Sequence, residues 1–96
     1  VRTAVISAAG VNERGLFNSN LQTAAAEQAM IEAAEEVIAV IDSTKFGHQA
    51  LARVCELARL THLVSDAELD AAWRKRIMAA GVHLVIAPPV EEPARP

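Results

Sequence analysis

Val37-Ile38-Ala39-Val40-Ile41-Asp42-Ser43-Thr44-Lys45-Phe46-Gly47 is the stretch from which the rest of the chain can be read. An apolar, β-branched run stops abruptly on an acid, two hydroxyls and a lysine. A run of about five such residues bounded by turn formers reads as a strand buried on both faces, over residues 37–41. In open α/β sheets, ligands sit beyond the carboxyl ends of such strands, where the loops diverge. Asp42, Ser43, Thr44 and Lys45 are therefore candidate binding residues. A simple Asp-Ser turn followed by a solvated lysine accounts for the same pattern.

Outward from this strand, the flanking segments alternate in type. Ala4-Val5-Ile6 reads as a short strand that runs into Ser7-Ala8-Ala9-Gly10, small residues that let the backbone turn and approach another group closely. Residues 11–19 read as a loop. Ser19 or Asn20 caps a helix over residues 21–34, with Leu21, Ala24, Ala25, Ile31 and Ala34 on its apolar face. Glu27, in mid-helix, has Thr23 and Ile31 four residues away and so no cationic helical partner.

Residues 48–60 fit neither period cleanly and predict an irregular crossing with an extended piece. Thr61-His62-Leu63-Val64-Ser65 is a further strand. Ser65 with Glu68 suggests a capping box for a helix over residues 67–80, acidic at its start and basic at Arg74-Lys75-Arg76. Gly81 suits the position after a helix end. Residues 82–87 form the last strand, which Pro88-Pro89 stops. The polar segment 89–96 reads as a disordered tail. Right-handed crossovers between these elements predict an α/β fold with a largely parallel sheet and helices packed on it, in three layers.

Composition narrows the function. The chain has 96 residues, 52% of them hydrophobic, and a formal charge of −3. Between Arg14 and Lys45 there is no basic residue, while Glu27, Glu32, Glu35, Glu36 and Asp42 fall in that gap. Such a surface does not grip a phosphate backbone. Cys55 is the lone cysteine, so no internal disulfide and no zinc spacing exist, and a cytoplasmic setting is expected. No apolar run approaches the ~20 residues needed to span a bilayer, so no membrane association is expected. The chain opens on Val1 almost inside a strand, which reads as a piece of a longer protein. No P-loop, dinucleotide fingerprint, nucleophile elbow or metal cluster is present, and no cofactor is implied.

The residues themselves resemble a family. Asp42-Ser43-Thr44-Lys45-Phe46-Gly47, preceded by Ala29-Met30-Ile31-Glu32-Ala33-Ala34, is similar to the effector-sensing domain of DeoR-type transcriptional regulators. Gly10-Val11, Gly15-Leu16, Asn20, Arg53-Val54-Cys55 and Leu63-Val64-Ser65-Asp66 follow in matching order. The resemblance implies a sensor similar in fold to ribose-5-phosphate isomerase, of which residues 1–88 would be the C-terminal part. It implies a phosphorylated sugar or related metabolite as effector, self-association into a homo-oligomer, and DNA contact only through a separate winged helix-turn-helix. Lys45 and Asp42 match the family's lysine and the acid ahead of it, and Asn20 its helix-opening asparagine.

Where many members read Gly-Ala-Asp-Gly, this chain has Ser7-Ala8-Ala9-Gly10, and Ala9 removes a carboxylate. Glu27 precedes Lys45 by eighteen residues, the separation at which the isomerase carries its catalytic base. An isomerase-like enzyme with Glu27 as base is thus the rival to an effector sensor that is not an enzyme, and a pure oligomerisation module is a third reading. The expected effector-binding set is Lys45, Asp42, Ser43, Thr44, Gly10, Asn20 and Glu27.

Overall fold

The computed structural model describes residues 2–88, so the tail expected at 89–96 lies outside the described residues. The elements in chain order are β1 (Thr3–Ile6), β2 (Gly10–Asn12), β3 (Gly15–Asn18), α1 (Leu21–Ala33), β4 (Glu36–Val40), β5 (Ala52–Cys55), β6 (His62–Asp66), α2 (Ala71–Ala79) and β7 (His83–Ala87). Short 3₁₀ turns occupy Ser43–Lys45 and Leu57–Arg59. A four-stranded sheet in the order β1-β4-β6-β7 is parallel throughout, and β2-β3-β5 form a separate antiparallel sheet. The α/β class and the parallel sheet expected from the sequence are present.

The third layer is not found among the described residues. The strand order β1-β4-β6-β7 advances in one direction only. Right-handed connections that never reverse direction keep every crossing on the same face. Ala4, Ile6, Val37, Ala39 and Leu63 accordingly point toward the helices, and most of them join one core with Ala24 and Ile31 of α1 and Ile77 of α2. The opposite face is open. Its cross-strand rows, Val5–Ile38–His62–His83 and Val40–Val64–Val85, follow from the register, and Val5, Val40 and Val85 are 60%, 50% and 39% exposed. Parallel sheets are ordinarily covered on both sides, so this one is half-dressed.

Three local expectations need correction. The loop read at 11–19 is a hairpin: β2 and β3 pair around a turn at Glu13 and Arg14, with Asn12 Oδ1 accepting the Arg14 amide at 2.8 Å. The second helix starts at Ala71 rather than 67, because Asp70 caps it by accepting the Trp73 amide at 2.8 Å. Residues 67–69 instead form a turn that Arg74 pins by donating to the Leu69 and Ala67 carbonyls. On α1, Leu21 and Ala25 face solvent, and only Ala24 and Ile31 are buried. The helix sits over the small sheet as well as β1, so a narrow stripe suffices. The extended piece expected in the crossing is β5, and Gly81, at φ +83°, follows α2 as expected.

Candidate functional site

At the carboxyl end of β4 the Ile41 amide still donates to the Val64 carbonyl at 2.9 Å, and the chain then leaves the sheet. Asp42 starts the Ser43–Lys45 turn by accepting the Thr44 amide at 3.0 Å and the Thr44 hydroxyl. A second carboxylate completes the turn from the neighbouring strand: Asp66 accepts the Ser43 amide and the Glu68 amide, each at 2.9 Å. Lys45 Nζ lies 3.7 Å from Asp42 Oδ2, with both side chains roughly half exposed. An ion pair this exposed adds little stability, so Lys45 is free to exchange its partner.

Both acids are held ionised. The Thr44 hydroxyl bond chiefly lowers the Asp42 carboxyl below its ordinary value, and the Ser43 amide chiefly lowers that of Asp66. The Ser43 and Thr44 amides are therefore already bound to carboxylates. The charge left exposed on this turn is the Lys45 ammonium.

A second cluster stands on the other side of the first loop. Asn18, at the end of β3, accepts the Ala9 amide at 3.2 Å through Oδ1, donates to the Ser7 carbonyl, and donates to Glu27 Oε1. Glu27 is half-buried, and burial raises its carboxyl above the ordinary value against the opposing pull of the Asn18 bond. The clusters are joined by main chain. The Gly47 amide donates to the Val11 carbonyl at 2.7 Å, and Val11 bridges Phe46. A Cβ on Gly10 would stand 2.6 Å from the His48 carbonyl oxygen, so only glycine allows that approach.

The structure thus groups Asp42, Ser43, Thr44 and Lys45 on one turn, and places Gly10 beside the segment leaving it. Glu27 belongs to the adjoining Asn18 cluster, and no ion pair links it to Lys45 among the described residues. Asn20 caps α1, its side chain accepting the Thr23 amide at 3.0 Å. Sequence reasoning missed Asp66 and Asn18 as organisers. Asp66 had read as part of the acidic start of a helix, and Asn18 as a residue of the loop at 11–19. Cys55 is set apart from this chemistry, since burial pushes its thiol up to about 11.

A parallel sheet with helices packed on it and a lysine-carrying turn at its carboxyl end makes this an α/β domain, and comparison with known proteins gives the family. Residues 1–67 match the family model of the DeoR C terminal sensor domain. The chain belongs to this family of ligand-sensing domains. It is 33% identical over 73 residues to the HTH-type transcriptional regulator GlpR of Haloferax volcanii, covering 76% of this chain and 29% of that protein. It is 30% identical over 74 residues to the putative aga operon transcriptional repressor of Escherichia coli O157:H7, covering 77% and 28%. The L-fucose operon activator of Haemophilus influenzae is 30% identical over 76 residues, covering 78% and 30%. The chain therefore spans less than a third of the length of each of these regulators. No helix among the described residues is long and apolar enough to cross a membrane.

Proposed function

We propose that this chain forms the effector-binding part of a DeoR-family transcriptional regulator, and that its effector is a phosphorylated sugar or related metabolite. The observation that carries the reading is Lys45, placed on a turn braced by Asp42 and Asp66 at the carboxyl end of a central parallel strand. Lys45 supplies the positive charge for a phosphate or other anionic group, exchanging its exposed contact with Asp42 for the ligand. The two carboxylates, kept ionised, accept hydroxyl protons, which suits a polyol carrying an anion. Binding shifts the population of sensor conformations, and so the affinity for an operator of a DNA-binding module elsewhere in the regulator. The assembly is a cytoplasmic homo-oligomer.

The test is a thermal-shift panel on the intact protein, with phosphorylated sugars set against their unphosphorylated parents. A ligand at a hundred times its Kd should stabilise by about 2.7 kcal/mol. Lys45→Ala should weaken phosphate-bearing ligands by about 1.5–3 kcal/mol, the range of charge-assisted hydrogen bonds. Unchanged affinity in that variant would remove Lys45 from the site. Turnover of a sugar phosphate in the same tube, lost in Glu27→Gln, would instead favour the isomerase reading.

A further inference from the structure

A cavity of about 610 Å³ is lined by no residue of the Lys45 turn or of the Asn18–Glu27 cluster. It lies between the β2–β3 turn, the segment from β5 to the Leu57–Arg59 turn, and one side of α2. Trp73, Leu57 and the alanines of α2 supply apolar lining, while Arg14, Arg53 and Arg76 bring three guanidinium groups to it.

Two arginines elsewhere in the fold have structural partners. Arg59 donates to the Ile31 and Ala34 carbonyls, closing the end of α1, and Arg74 donates to the carbonyls of Ala67 and Leu69. Both have structural employment. Arg53 pairs with Glu56 at 3.2 Å. Arg14 and Arg76 make no side-chain hydrogen bond or ion pair among the described residues, and both line this one cavity. Arg76 lies over the Trp73 ring, 5.0 Å from its centroid. A guanidinium stacked on an indole keeps its edge donors available for a planar anion. Glu13 is the one carboxylate on the rim left to oppose them, since Glu56 is taken by Arg53.

We infer that this groove is a second ligand site, separate from the Lys45 turn, for a small organic anion: a phosphate, sulfonate or carboxylate carried on a flat or apolar body. The anionic group sits between Arg14 and Arg76, and the body lies along Trp73 and Leu57. The volume falls within the ~300–1,000 Å³ usual for small-molecule sites, which favours a free metabolite over a macromolecular partner. The inference does not depend on the effector assigned to Lys45.

Trp73 is the chain's only tryptophan, so its emission reports on the groove; its ring also packs on Phe46 at the end of the Lys45 turn, 5.3 Å between centroids, which the Lys45→Ala control below separates. The probes are phenyl phosphate, inorganic phosphate and phenol, titrated into the intact protein, with Trp73→Phe assigning the signal. Phenyl phosphate is expected to change the emission saturably and to bind more tightly than either half alone. Arg14→Gln and Arg76→Gln should each weaken it about tenfold or more, as expected for loss of a charge-assisted contact. Glu13→Gln should tighten it, an effect of opposite sign that disruption of the fold would not produce. Lys45→Ala should leave it unchanged. Equal binding of phenol, unaltered affinity in the arginine variants, loss of the response in Lys45→Ala, or no saturable response to phenyl phosphate would each overturn the inference. Displacement of the probe only by an acidic peptide, and not by small anions, would overturn it in favour of a protein contact.

Discussion

Asp66, at the end of β6, accepts the main-chain amide of Ser43, which lies just beyond β4, at 2.9 Å. The lysine-bearing turn is thus held by two strands, and the adjacent strand's carboxylate limits how the turn can move. Asp66→Ala should speed hydrogen exchange at the Ser43 amide by about tenfold, the order expected for losing one charge-assisted bond, and Asp66→Asn should fall between. The sign with pH follows from the depressed folded carboxyl. Its contribution is fully present above the ordinary value of 3.8 and is lost as pH falls through the lower folded value. Exchange measured by NMR at neutral and acid pH checks both parts, and equal protection in wild type and Asp66→Ala would show the turn to be self-supporting.

Gly15 separates a required glycine from permissive ones. Its φ is +124°, and an added Cβ would stand 2.1 Å from the Cys55 carbonyl oxygen, where β3 meets β5. Backbone cannot rotate away as a side chain can. Gly15→Ala should therefore cost about 3 kcal/mol or more, through strain and loss of the pairing. Gly47 and Gly81 also have positive φ but open space around the added carbon. Alanine there should cost only about 1–2 kcal/mol, the left-handed penalty alone. Urea denaturation of the three variants gives the comparison.

These positions also show what the chain discloses in advance and what it withholds. Residues 37–47 announced the strand and its polar exit because β-branched runs and Asp-Ser turns act locally. The hairpin around Glu13 and Arg14 was hidden because β2 is three residues long and lacks an alternating pattern. Its stability comes from β5, some forty residues away, which no window of sequence contains. The start of α2 was misplaced because Ser65-Asp66-Ala67-Glu68 is a good capping pattern. Asp66 instead binds Ser43, a contact made by the sheet. Lys45 was visible as a residue type, whereas the carboxylate bracing its turn was visible only in three dimensions.

Glu27 should show the opposite pH behaviour to Asp66. Burial raises its carboxyl in the folded protein, so the ionised form is the disfavoured one. At neutral pH the chain is folded against that cost. Glu27→Gln keeps an oxygen to accept from Asn18 and removes the charge. The variant should have a higher Tm at neutral pH, and the gain should vanish below the ordinary value of 4.5, where wild-type Glu27 is protonated in both states. Tm against pH for the two proteins is the measurement. A variant less stable at neutral pH would mean that the charge itself holds Asn18 and the Ser7 amide in place.

The open sheet face makes a last prediction about surface rather than stability. Val40 and Val85 flank Val64 in a single cross-strand row and are 50% and 39% exposed. A contiguous row of valines open to solvent attracts apolar dyes and other copies of itself. Lysine has the stem to lie along such a row with its charge in water. Val40→Lys and Val85→Lys should therefore change the unfolding free energy by no more than about 0.5 kcal/mol in this chain. They should reduce binding of an apolar fluorescent dye and move sedimentation toward monomer. In a longer polypeptide that covers this face, the same lysines would be buried without partners and should cost several kcal/mol. The contrast between the two settings reads out whether further polypeptide covers the second face of the sheet.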